Sequence, residues 1–198
     1  MNKEITFVTG NQTKVLHANE VLQAFGYTAV ARKLGIIEPR EEDPGKVAVE
    51  KAIQAFKELK EPLMVEDSGI FIRALNGFPK TFIHFVEDTI GVCNVLKMME
   101  GITDRYVEFR QSLAYIELGI GEPKVFSYID GGYTLADKVW IPKYKDAGEF
   151  DKVLIPPGQT QPLCMFTKEW RAKRDKEANQ ETVHYKQLVE WLNSKHPF

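Results

Sequence analysis

The chain has 198 residues, 43% of them hydrophobic, which suits one medium domain, or two lobes sharing a core, and argues against disorder. Its 26 basic and 28 acidic residues leave a formal charge of −2, so no global field recruits a nucleic-acid polymer or an anionic membrane; a small anionic ligand needs a local site. Cys93 and Cys164 form no CxxC or zinc pattern and read as reduced, packed thiols. With no signal-type apolar opening and no apolar run of about 20 residues, a soluble cytoplasmic protein is expected.

The first predicted element is a strand, Glu4 to Val8, followed by a turn at Thr9 to Asn11 and a helix from about Thr13 to Phe25. Val15, Leu16, Val21, Leu22 and Phe25 recur at helical spacing, and Gly26 closes the helix. "TAVARKLGIIEP" reads as a second strand-like run. The turn-rich "REEDPGK" then leads to a helix over Val47 to Leu59, with Val47, Ile53 and Phe56 facing inward and Pro62 ending the unit. "PLMVEDSGIFIRAL" predicts a short buried strand that runs into two carboxylates, a place where sites commonly open. "NGFPKTFIHFVEDTIGVCNVLKMMEG" starts as a Gly/Pro loop and becomes helical. "YVEFRQSLAYIELG" and "PKVFSYIDGGYTLA" alternate apolar and polar residues as neighbouring strands do. The charged C-terminal stretch predicts one or two helices, with Val183, Leu188, Val189 and Leu192 as a partial apolar face. The fold class is therefore α/β, with a second half richer in antiparallel strands.

Two segments carry chemistry. In "FVTGNQTK", a glycine after a strand lets backbone approach a ligand, amides at a helix start attract anions, and Lys14 can reach a phosphate. Taken alone, the segment also reads as a Gly turn with Asn11 or Thr13 as N-cap and Lys14 solvated. In "VEDSG", Glu66 and Asp67 are consecutive, so on a strand they point to opposite faces, one toward a cleft and one toward a basic partner. Hard oxygen ligands of this kind suit magnesium, with Glu38 as a plausible second ligand; a surface turn built on Ser68 is the plainer alternative.

The order "TGNQTK", acidic stretch with "VEKA", "VEDSG" and "LNGFPKTF" over residues 4 to 90 resembles the inosine triphosphate pyrophosphatase family. Lys80 stands where that family usually has glycine. The resemblance implies an elongated mixed sheet flanked by helices, two lobes with a central cleft, and a homodimer. It also implies magnesium-dependent hydrolysis of a nucleoside triphosphate to monophosphate and pyrophosphate, with ITP, dITP and XTP as substrates. Carried over, Thr9, Gly10, Asn11, Lys14, Lys51 and Ser68 hold phosphate. Glu38 and Asp67 face the metal, and Asp67, Lys14 and Lys51 serve catalysis. Glu41, Glu42 and Asp43 are rivals to Glu38.

The C-terminal half departs from the family pattern. In "GEFDK", Phe150 and Asp151 match the family's second aromatic and its acid, while Gly148 and Glu149 replace the first aromatic and the glycine. The family's S-H-R aligns with Thr182, Val183 and His184, or, shifted by a residue, with His184 as the histidine and Lys186 as the basic group. Phe150, Asp151, Thr182 and His184 are thus the base-binding candidates, and base preference stands open. The alternatives are the same hydrolysis with another base, or nucleotide binding without turnover.

Overall fold

The computed structural model describes residues 3–178 and 183–195, with side chains described to residue 174 and again from 183. Its strands are β1 (Lys3–Val8), β2 (Tyr27–Arg32), β3 (Leu63–Ile72), β4 (Pro79–Lys80), β5 (Tyr106–Ile116), β6 (Lys124–Leu135) and β7 (Leu154–Ile155). Its α-helices are α1 (Gln12–Leu22), α2 (Pro44–Leu59), α3 (Ile83–Thr89), α4 (Val92–Met98), α5 (Lys168–Ala178) and α6 (Val183–Lys195). The strands form one mixed sheet in the order β2-β1-β3-β5-β6-β7, with β4 added to β3. β1 is parallel to β2 and β3, whereas β4 on β3 and β7 on β6 are antiparallel. The expected α/β class holds.

Two compact units divide the chain. The first takes described residues 3–68, 111–128 and 183–195; the second takes 69–110 and 129–178. β3, β5 and β6 each contribute residues to both.

In the first unit, strand alternation sorts side chains between two cores. Phe7, Met64, Leu113 and Tyr115 pack with Ala18, Val21 and Leu22 of α1 and with Tyr185, Leu188, Val189 and Leu192 of α6. Their sequence neighbours Val8, Leu63, Val65, Ala114 and Ile116 pack instead with Ala48, Ala52 and Ala55 of α2. α2 therefore lies close on small residues. Its buried stripe is Val47, Ala48, Ala52 and Ala55, so Ile53 and Phe56, expected to face inward, are only half-buried. The helix also begins three residues earlier than expected, because Pro44 can start a helix and Asp43 Oδ1 accepts the Gly45 amide at 2.7 Å. α1 ends in a 3-10 turn, Gln23–Phe25, closed by Gly26 at φ +78°, as expected, but Leu16 and Phe25 face solvent.

The second unit buries Ile70, Ile72, Val86, Val95, Met99, Val107, Tyr133, Leu135 and Leu154 in one core. Cys164 is buried, as expected of a packed thiol, but Cys93 is exposed. No helix among the described residues is long and apolar enough to cross a membrane.

Candidate active site

β1 hands over to α1 at Asn11, which caps the helix. Its side-chain oxygen accepts from the amides of Thr13 at 2.9 Å and Lys14 at 3.4 Å, and its own amide donates to Thr9 Oγ1 at 3.0 Å. The capping reading of this turn is thus correct for Asn11. Gly10 between them is exposed, and a Cβ there would meet nothing within 4 Å, so packing does not demand the glycine and the backbone lies open.

Lys14 is not simply solvated. Its Nζ lies 3.0 Å from Glu66 Oε1, with 26% of the side chain still exposed. Glu66 sits in β3 on the same face as Met64, toward α1 and α6, and is almost fully buried. Its Oε2 accepts a hydrogen bond from the Tyr185 hydroxyl and lies 3.2 Å from His184 Nε2. Burial alone would push this carboxyl up, but Lys14, His184 and Tyr185 outweigh it and hold Glu66 well below the usual carboxylate range.

Asp67 points the other way, with Val65, toward α2. Its Oδ1 lies 3.2 Å from Lys51 Nζ, and the same ammonium is 3.5 Å from Glu38 Oε1. Burial raises the Asp67 carboxyl above its ordinary value; Lys51 and Lys14 oppose the rise and Glu38 adds to it. The expectation that the two neighbouring carboxylates face apart is met, but each has its own lysine. The carboxylates also lie inside β3 rather than at its end, because the strand continues through Ser68 and Gly69 to the apolar Ile70, Phe71 and Ile72. Ser68 is half-buried and shares its strand face with Glu66.

Two of the rivals to Glu38, Glu41 and Asp43, have local work. Glu41 Oε1 accepts the amides of Glu42 and Asp43, at 2.8 and 3.2 Å, and Asp43 caps α2. Glu38, 69% exposed, is the one joined through Lys51 to Asp67. Among the described residues no group of three or more His, Cys, Asp or Glu side chains is arranged to hold a metal. The donor set fits magnesium, which binds through one or two carboxylates and completes its shell with water and substrate phosphates.

The base-binding candidates fall in different settings. Phe150 is 3% exposed, inside the second unit's core, and offers no open ring face. Asp151, also in that unit, accepts from the Gly148 amide at 2.9 Å and from Arg171 at 3.1 Å, and Arg171 further holds Asp146. Burial pushes the Asp151 carboxyl up, against the pull of the Gly148 amide and Arg171. His184 belongs to the first unit, is 0% exposed and is committed to Glu66. Thr182 lies outside the described residues.

Sequence reasoning did not single out Tyr185, or Glu66 as the shared partner of Lys14, His184 and Tyr185. The available signal was a tyrosine on the apolar face of a predicted helix, since a buried hydroxyl needs a partner.

The chain matches the model of the Ham1 family over residues 5–179, a stretch that includes Lys14, Lys51, Glu66 and Asp67 but not His184 or Tyr185. It is 44% identical over 123 residues to a dITP/XTP pyrophosphatase of Methanosarcina acetivorans, covering 62% of this chain and 66% of that relative, just under two thirds of its length. It is 34% identical over 199 residues to a dITP/XTP pyrophosphatase of Hyperthermus butylicus, covering 98% of this chain and 96% of the relative. A solved HAM1 protein from Coxiella burnetii shares the fold with a TM-score of 0.76 at 21% identity, over 97% of this chain and 99% of that one. Motif order, sheet and similarity along nearly the whole chain agree, and the chain belongs to the Ham1 family.

Proposed function

We propose that the protein is a magnesium-dependent pyrophosphatase that hydrolyses nucleoside triphosphates to monophosphate and pyrophosphate, with the non-standard purine nucleotides ITP, dITP and XTP as substrates. The observation that carries this reading is the Lys51 ammonium shared by Asp67 and Glu38, two hard carboxylates beside a cation. The name dITP/XTP pyrophosphatase borne by relatives supports the reaction and the substrate class.

Asp67 is the base. A buried carboxylate raised above its ordinary value is a better proton acceptor, and Asp67 takes a proton from the attacking water as a new O–P bond forms at the α-phosphorus. The bond from that phosphorus to the α–β bridging oxygen breaks, and pyrophosphate leaves with the electron pair. Lys14 and Lys51 offset charge on the polyphosphate, and Thr9, Gly10, Asn11 and Ser68 line its path with neutral donors. Glu38 and Asp67 would hold magnesium, which would supply positive charge for the leaving pyrophosphate.

A second reading keeps the hydrolysis and changes the base, and the burial of Phe150 together with the commitment of His184 to Glu66 favours it. One experiment addresses both: pyrophosphate release from a panel of triphosphates, with magnesium, by the natural chain and by Asp67→Asn. The variant is expected to lose about 100- to 10,000-fold in rate. A rate unchanged by Asp67→Asn would show that the base is elsewhere. Turnover of a standard nucleotide at least equal to that of ITP would sink the purine-editing version and leave the second reading.

A further inference from the structure

Glu66 is a buried carboxylate with three partners in the first unit. Lys14 Nζ occupies Oε1 at 3.0 Å, while His184 Nε2, at 3.2 Å, and the Tyr185 hydroxyl meet at Oε2. The same hydroxyl lies 3.4 Å from the backbone carbonyl oxygen of Lys14. Tyr185 therefore touches both the main chain of Lys14 and the carboxylate that holds its side chain. Packing fixes the tyrosine: its ring meets Phe7 edge-on at 6.2 Å and lies 4.1 Å from the His184 ring. Two donors on one oxygen lock the carboxylate plane, and a locked plane presents the opposite oxygen to Lys14 at one place.

From this arrangement we infer that His184 and Tyr185 are positioning residues that act through Glu66 to aim Lys14 at the polyphosphate of the substrate. This rests on the proposed hydrolysis and adds to it. The residue aligned with a base reader meets the carboxylate that holds Lys14, and a tyrosine outside the quoted motifs meets the same carboxylate. Because Lys14 meets phosphate already in the ground state, loosening it raises KM and weakens the binding of a bare polyphosphate.

The test uses inorganic tripolyphosphate, which has no base, as competitive inhibitor of magnesium-dependent pyrophosphate release by the whole chain. Tyr185→Phe keeps the ring and removes the hydroxyl; His184→Leu removes the ring nitrogen donor. Each is expected to raise the inhibition constant of tripolyphosphate and the KM for triphosphate about tenfold. In a Glu66→Gln background neither is expected to add a further loss, since both act through that carboxylate. Circular dichroism at the assay temperature shows that each variant is folded, and Tyr185→Phe alone carries the test where another variant is not. Inhibition by tripolyphosphate at the natural level in Tyr185→Phe overturns the proposal. So does a change of base preference in His184→Leu with tripolyphosphate inhibition intact, which would make His184 a base reader. If the natural chain releases no pyrophosphate from any triphosphate, the proposed function itself has failed, a result distinct from both.

Discussion

At Lys80 the backbone takes φ +59°, a left-handed conformation that a side chain disfavours by about 1–2 kcal/mol. The family pattern that this chain resembles has glycine at this position, and the backbone angle supplies the physical reason. Lys80→Gly is expected to raise stability by about 0.5–1 kcal/mol, the relief of strain being partly offset by the greater freedom of glycine in the unfolded chain. Chemical denaturation measures this directly, and a loss of stability would show that contacts of the lysine side chain outweigh the strain. Asn11 is the converse case. A cap at this turn is legible in the residues as Asn11 or Thr13, and the structure settles on Asn11, whose side-chain oxygen accepts the Thr13 and Lys14 amides. Lys14 was legible as a cation in a useful place but not as a partner of Glu66, which lies 52 residues along the chain.

β3 shows what an element adds to its residues. Consecutive carboxylates on a strand had to face apart, and they do, because β1, β3 and β5 all deal alternate residues to the α1/α6 side and the α2 side. Gly69, next in the strand after Ser68, answers to a different demand. A Cβ at that position would stand 2.6 Å from the carbonyl oxygen of Lys80, in the strand that pairs with β3 through Ile70 and Phe71. The final residue of "VEDSG" is thus set by the close approach of β4, within the second unit. Gly69→Ala must displace backbone rather than a flexible side chain, and a destabilisation of about 2 kcal/mol is expected in urea unfolding. A variant as stable as the natural chain would mean that β4 yields freely. Two charged residues followed by Ser-Gly look like a strand ending in the sequence, but β3 continues through Ile72 because Ile70 and Phe71 pair with β4.

For the molecule as a whole, the division into two units separates the proposed chemistry by address. Thr9, Gly10, Asn11, Lys14, Glu38, Lys51, Asp67 and Ser68 all belong to the first unit. Phe150, Asp151 and the Arg171 network belong to the second. Tripolyphosphate with magnesium is therefore expected to slow amide exchange in segments 3–22 and 44–68, and to leave the α3 and α4 segment, 83–98, unchanged. Ligand at about a hundredfold over its Kd stabilises what it binds by about 2.7 kcal/mol, roughly a hundredfold in exchange by opening of that unit. Exchange by mass spectrometry reads each segment, and protection confined to 83–98 would place the polyphosphate in the other unit.

By itself the sequence determined the α/β class, a helix cap at Asn11 or Thr13 and the presence of lysines and carboxylates in "TGNQTK" and "VEDSG", because these depend on residue type and short spacing. The family, too, was visible in motif order. Tertiary structure alone decided that Glu38 rather than Glu41 or Asp43 joins Lys51 and Asp67, that Phe150 is core, and that His184 and Tyr185 close on Glu66. Those outcomes depend on which side chains are brought together across 13 to 119 residues of chain and on how much water is left around them. Local pattern carries no record of either.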